Sequence, residues 1–120
     1  NREIIEQFTQ FSYKMHRANV LHLDHTPGNT LIKKTEQGYE FSVIDINRMA
    51  FRSVSLSQGL HNLSRLTTCP SILQIIAETY AQCTNADSQK CLQLLTGYCQ
   101  QFRRQVDRKK RLKQFFGLKK

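Results

Sequence analysis

The clearest strand character in the chain is confined to one short stretch, residues 30–44. Thr30-Leu31-Ile32-Lys33 has the composition of a strand, and Lys34 to Gly38 is polar and turn-like. Tyr39 to Ile44 alternates Tyr39, Phe41 and Val43 against Glu40 and Ser42, the pattern of a returning hairpin strand that ends in Asp45. Helical periodicity flanks this hairpin on both sides. Ile4, Ile5, Phe8, Phe11 and Met15 form one apolar stripe, which predicts a helix over residues 1–18 with that stripe in the core. Ala18-Asn19 ends it, Val20-Leu21 begins a short extended piece, and His22 to Asn29 is a loop marked by Pro27-Gly28.

Everything after Asp45 reads as helical or irregular. A Ser-containing loop over Arg52–Gly59 leads into a helix near 57–68. Pro70 suits the first turn of another helix, running through Ile72, Leu73, Ile75, Ile76 and Tyr80. Asn85-Ala86-Asp87-Ser88 breaks it with good N-cap residues. A long helix then continues through Leu92, Leu95, Cys99, Phe102 and Val106, weakened at Gly97. The expected fold class is therefore α+β, mostly α: a helix, a small hairpin, then several helices. No uncharged apolar run approaches the ~20 residues that span a bilayer. The chain opens Asn1-Arg2-Glu3 with neither Met nor an apolar leader, which gives secretion no support. Cys69, Cys83, Cys91 and Cys99 contain no CxxC pair, so zinc has little support. Cys91 and Cys99 share a helix face with Leu95 and Phe102, as reduced buried thiols would in a reducing compartment.

Charge is distributed unevenly. Residues 103–120 carry nine Lys/Arg and one acid, a net +8 of the chain's +9, so residues 1–102 carry only +1. The basic residues Arg103, Arg104, Arg108, Lys109, Lys110, Arg111 and Lys113 are interrupted by Leu112 and followed by Phe115 and Phe116. Such a tail attracts an anionic partner: a membrane surface, a phosphorylated glycolipid or nucleic acid. The bland alternative is a solvated helix face.

The segment with most chemical content is His22-Leu23-Asp24-His25-Thr26-Pro27-Gly28-Asn29, followed by the hairpin and Val43-Ile44-Asp45. Asp24 and Asn29 lie at one end of the hairpin, and the returning strand brings Asp45 back towards Asn29. Three oxygen-bearing side chains in one place suit a hard divalent cation that also takes phosphate oxygens. Phosphoryl transfer needs this set: an Asp on the acceptor hydroxyl, with an Asn and a second Asp on Mg²⁺. HxDxxxxN by itself is a weak signal, and Asp and Asn are common turn residues. The loop, hairpin and strand-terminal Asp in this order form half of the kinase signature set.

His22 to Arg48, about a quarter of the chain, resembles the eukaryotic-like kinase superfamily. It looks most like the bacterial lipopolysaccharide core (Kdo/heptose) kinases, whose metal-binding strand reads I-D-x-x-R as does Ile44-Asp45-Ile46-Asn47-Arg48. The resemblance implies a kinase-like C-terminal lobe over residues 1–102, with catalytic loop 22–29 and metal-binding strand end 43–48, followed by a basic helix or tail over 103–120. It implies Asp24 as catalytic base, Asn29 and Asp45 as Mg²⁺ ligands, and His22 as the structural brace of the loop. Arg48 is left to an anionic substrate or to a salt bridge near Asp45, with the salt bridge favoured. Arg65 is a weaker candidate for bracing the loop. His25 is expected to be a solvent-exposed loop residue, and His16 and His61 to be surface or satisfied polar groups.

Leu23 stands where protein kinases carry Arg, and Asn47 where they carry Gly after the metal-binding Asp, which favours a glycolipid or small-molecule acceptor over a protein. No Gly-rich loop and no strand Lys with helix Glu precede His22. The ATP-covering N-terminal lobe is thus expected to be absent, and the chain to be an inactive C-terminal fragment without tight ATP binding. The implied parent is a cytoplasmic kinase, peripheral at the inner membrane. It would use ATP and Mg²⁺ to phosphorylate a lipopolysaccharide core or lipid-linked sugar, Kdo or heptose, with the tail on anionic lipid. Nucleic acid ranks below the membrane because no nucleic-acid-binding motif accompanies the tail. The alternatives are a small-molecule phosphotransferase of the aminoglycoside or choline kinase type, and a non-catalytic kinase-like binding module.

Overall fold

A computed structural model describes residues 2–115. It has four helices and two small antiparallel sheets among the described residues. Helix α1 spans Arg2–Arg17, with Lys14 and Arg17 in its last turn, where cations complement the negative end of the helix dipole. Asn19 then takes a left-handed φ of 64°, a conformation Asn tolerates better than most residues, and turns the chain into β1, Val20–His22. Strands β2 (Thr30–Thr35) and β3 (Gly38–Val43) form the expected hairpin, in register Thr30↔Val43 through Thr35↔Gly38.

The second sheet was not foreseen. Met49–Phe51 forms β4 and pairs with β1, matching Val20 to Phe51, Leu21 to Ala50 and His22 to Met49. The chain beyond Asp45 therefore returns to the segment that opens the loop. Asp45 makes this turn with a left-handed φ of 64°.

Helix α2 is Leu56–Leu63, shorter than the expected 57–68. Its start is a capping box: Ser55 Oγ accepts from the Gln58 N–H and Gln58 Oε1 accepts from the Ser55 N–H. Its end tightens into i→i−3 bonds, Ser64 N–H to His61 O and Leu66 N–H to Leu63 O, so Arg65 sits in a turn rather than on the helix. Helix α3 (Pro70–Thr84) starts on Pro70 and ends on Asn85 with a left-handed φ of 58°. Helix α4 runs without interruption from Ser88 to Phe115, through Gly97 and on into the basic segment. Asp87 accepts from the Lys90 N–H at its start.

The core lies among α2, α3 and α4: Leu60, Leu63, Leu73, Ile76, Ala77, Ala81, Leu95 and the ring of Tyr80, with Cys91 and Cys99 filling in as small hydrophobes. All four cysteines are free. The expected apolar stripe of α1 does pack on the core, through Ile5 and Phe8, but the most deeply buried residues of the helix are polar. Thr9, Ser12 and His16 are its buried residues, while Ile4, Ile5, Phe8, Phe11 and Met15 are only half-buried. The reason is steric and local. Thr9 and Ser12 satisfy their hydroxyls on the carbonyls of Ile5 (2.8 Å) and Phe8 (3.0 Å), so these small side chains can be buried without unpaired polar groups. The apolar stripe flanks this seam: Ile5 and Phe8 pack against the core, and Phe8 and Phe11 also reach the hairpin, against Phe41 at 5.4 and 5.5 Å between centroids.

Candidate active site

The loop over residues 22–29 is held from three directions. From behind, β1 pairs with β4, and the Leu23 N–H adds a bond to Arg48 O at 2.6 Å. From the side, the Ile44 N–H donates to Asn29 O at 2.9 Å, bringing the end of the hairpin back to the end of the loop. From within, fully buried His22 ties the two segments together. Its Nδ1 accepts from the Asp24 N–H at 3.0 Å, so the ring proton is on Nε2, which donates to Ile44 O at 2.7 Å.

This bracing continues into the core. Asn62 Nδ2 donates to His22 O at 2.7 Å, and Asn62 Oδ1 accepts from His16 Nε2–H at 2.8 Å. His16 Nδ1 is thereby left to accept from the Tyr80 hydroxyl at 2.9 Å. One unbroken series of hydrogen bonds thus runs from α3 through α1 and α2 to the loop. Burial holds the His16 imidazole below its ordinary value, and burial pushes the Tyr80 phenol up, so both stay neutral and can keep these donor and acceptor roles.

Asp24 stands at the open end of this frame, 28% exposed in its side chain. Asn29 Nδ2 donates to both Asp24 O (2.9 Å) and Asp24 Oδ2 (3.0 Å). Arg65 Nη1 lies 3.0 Å from the other carboxylate oxygen, Oδ1. Arg65 in turn rests on the Phe102 ring of α4, its guanidinium carbon 4.8 Å from the centroid. Asp45 and Arg48 sit further out, and their contact is long: Nε to Oδ2 is 3.9 Å, with side chains 60% (Arg48) and 42% (Asp45) exposed.

Among the described residues no cluster of three or more His, Cys, Asp or Glu gathers as a metal site. The donors at this end of the hairpin are different in kind. Asn29 spends its amide nitrogen on Asp24 and keeps its amide oxygen, while Asp45, next to the Ile44 N–H that bonds Asn29 O, carries a carboxylate only loosely paired with Arg48 at 3.9 Å. Hard oxygen donors in so small a number fit Mg²⁺, which takes most of its remaining ligands from phosphate and water.

His25 departs from expectation. It is buried, 1% exposed, and stacked on Phe8 at 5.1 Å. Ser12 Oγ gives its proton to Phe8 O and accepts from His25 Nε2–H at 2.9 Å. His25 Nδ1 is buried with no hydrogen-bond partner among the described residues. The loop needs an anchor on its inner side, and a flat ring against Phe8 supplies one. Burial, reinforced by neighbouring His16 and His22, pushes its imidazole down to about 4. In the unfolded chain the same ring titrates near 6.5. Between those values the unfolded chain takes up a proton that the native fold refuses, so stability is lost as pH falls through this window. The expected loss is about 2 kcal/mol by pH 5 from His25 alone, with His16 acting in the same direction. Urea melts at pH 7.5 and pH 5 check this. A midpoint unchanged or higher at pH 5 would refute it, and His25→Phe should flatten the dependence.

Sequence reasoning missed Asn62, His16 and Tyr80 as parts of the loop's support, and ranked Arg65 low. Their partners lie 46 and 64 residues apart for His16 and 40 for Asn62, so no local spacing signals them. The one local clue was Ser55-x-x-Gln58, which fixes where α2 begins.

A histidine-braced HxDxxxxN loop, with a hairpin that returns a second aspartate to its asparagine, is the arrangement of phosphotransferases of the kinase superfamily. The model of the Lipopolysaccharide kinase (Kdo/WaaP) family matches residues 1–98, and the chain belongs to that family. No curated protein matches the chain.

Proposed function

We propose that these residues form the catalytic lobe of an ATP-dependent kinase that phosphorylates a sugar hydroxyl, Kdo or heptose, of a lipopolysaccharide core. The observation that carries this reading is the position of Asp24. Its carboxylate is held by Asn29 at 3.0 Å, and Asn29 is itself bonded to the end of the hairpin at 2.9 Å. Asp24 accepts the proton of the attacking sugar hydroxyl. Asn29 and Asp45 are the residues that would hold Mg²⁺, which supplies charge neutralisation to the nucleotide phosphates. His22 keeps the Asp24 backbone fixed, so the carboxylate does not have to be ordered when substrate arrives. The test is transfer of the γ-phosphoryl of ATP to purified core oligosaccharide by the full-length protein. No transfer to any core sugar, with binding of the core intact, would favour the non-catalytic module.

The basic segment separates this reading from a soluble-acceptor phosphotransferase. From Arg103 to Gln114 every described side chain is exposed except half-buried Val106, and Leu112 is 50% exposed. Phe116, part of the expected apolar end of the tail, lies outside the described residues. Among the described residues no helix is long and apolar enough to cross a membrane. We therefore place the segment on the surface of an anionic membrane, at the cytoplasmic face of the inner membrane. Each basic side chain near such a surface contributes ~1 kcal/mol, so replacing Arg108, Lys109, Lys110 and Arg111 by Gln should weaken binding on the order of 10³-fold. Co-sedimentation with phosphatidylglycerol vesicles checks this, and equal binding of the variant would remove the membrane role.

A further inference from the structure

The geometry points to Arg65 as a second catalytic residue, the cation that stabilises the phosphoryl group while it moves. The inference rests on the phosphotransfer reading above and adds a residue to it. Phosphoryl transfer spreads negative charge over the oxygens of the transferred group, and a fixed cation there lowers the barrier. The loop His22–Asn29 contains no Lys or Arg to supply it. Its two imidazoles are committed elsewhere: both His22 nitrogens are hydrogen-bonded, and His25 is buried under Phe8.

Arg65 comes from a distant part of the chain and meets the requirement. Its Nη1 is 3.0 Å from Asp24 Oδ1, on the opposite carboxylate oxygen from Asn29. One face of the guanidinium lies over Phe102. That support fixes the plane of the group and leaves its edges to make bonds. The contact with Asp24 uses Nη1 alone, and the side chain is 37% exposed, so the guanidinium is not sealed off from a ligand arriving at this carboxylate. A cation 3.0 Å from the carboxylate that would hold the sugar hydroxyl is placed to meet a phosphate oxygen brought to that hydroxyl. Arg48 is a poorer candidate, since its one ion pair is 3.9 Å long and lies with Asp45 rather than Asp24.

The step balances with ATP as the co-reactant. The sugar oxygen forms a bond to the γ-phosphorus as the bond from that phosphorus to the bridging oxygen of ADP breaks. ADP leaves with the bonding electron pair, the hydroxyl proton passes to Asp24, and Arg65 gives and takes no atom.

The test uses full-length protein with ATP, Mg²⁺ and core oligosaccharide. Arg65→Ala should lower kcat about 10³-fold with KM for both substrates changed far less, because the contact strengthens in the transition state. Added guanidinium should restore part of that rate to Arg65→Ala and none to Asp24→Ala. Arg65→Lys should fall between wild type and Arg65→Ala. If Arg65→Ala is poorly folded, Phe102→Leu, which removes only the support beneath the guanidinium, should still lower kcat roughly tenfold. Arg65→Ala within threefold of wild type, or a loss that guanidinium does not restore, would overturn the inference. Loss on Asp24→Ala with none on Arg65→Ala removes Arg65 alone, whereas full activity in Asp24→Ala removes the phosphotransfer reading itself.

Discussion

Asp24→Ala in the full-length protein is expected to lower kcat for phosphoryl transfer by about 10³-fold or more, the range of a lost general base, while the fold survives. The two halves of this result have separate origins. On the proposed reading the carboxylate takes the hydroxyl proton; the loop's imidazoles are not free for it, since both nitrogens of His22 are occupied and His25 is buried. The loop itself does not depend on that carboxylate. It is held by the Asp24 N–H on His22, by Asn29 on the Asp24 carbonyl, and by the β1–β4 pairing, all of which Ala retains. What is lost is one amide contact and a part-exposed ion pair, together worth about 1–2 kcal/mol. Rates of ADP release and circular dichroism melts measure the two halves independently. A variant with near-normal turnover would remove Asp24 from the chemistry.

The second large effect is structural and has a sign that helix propensity alone would get wrong. Gly59→Ala lies inside α2, where Ala ordinarily stabilises by about 1 kcal/mol. Here the added Cβ would sit 1.9 Å from the Tyr80 hydroxyl and 3.1 Å from His16 Nδ1. Tyr80 is 2% exposed and packed edge-on against Tyr13, so any shift of its ring disturbs that packing. The substitution must part Tyr80 from His16 and strain the core, an expected cost of roughly 3 kcal/mol or more. Gly97→Ala in α4 is the control: nothing stands within 4 Å of its Cβ position, so the usual gain should appear. Urea melts of the two variants should move in opposite directions. A Gly59→Ala midpoint at or above wild type would mean that Tyr80 and His16 do not meet as described.

The contrast between these two glycines also shows what could be read in advance. Features set by neighbours in sequence were legible: the alternation of β3, Pro70 opening α3, the polar break before α4, and the order of Asp24, Asn29 and Asp45 around a hairpin. Features set by distant partners were not. Met49–Phe51 is too short to show alternation, and its pairing with β1 depends on the loop between them. The buried seam of α1 is made of Thr9, Ser12 and His16, whose polarity hides them from a search for apolar stripes. His25 looks like a surface loop residue until Phe8 and Ser12 of α1 are brought beneath it. The candidate carboxylates and amide were visible as a motif, whereas the residues that hold them came only with the packing.

Helix α4 links the candidate site to the basic segment as one continuous helix. Its Phe102 lies under the arginine beside Asp24, and its next residues are the basic segment, with no break between them. A slack tether would only raise the local concentration of the enzyme at a surface. On the proposed membrane seat, a continuous helix would also set the angle and height of the candidate loop above that surface. From Phe102 to Phe115 the axis advances ~20 Å, and each residue turns it by ~100°. One residue inserted at that junction would keep every charge and still point the basic side chains about a quarter-turn away, so on the proposed reading register as well as composition would decide whether a surface-bound acceptor meets Asp24.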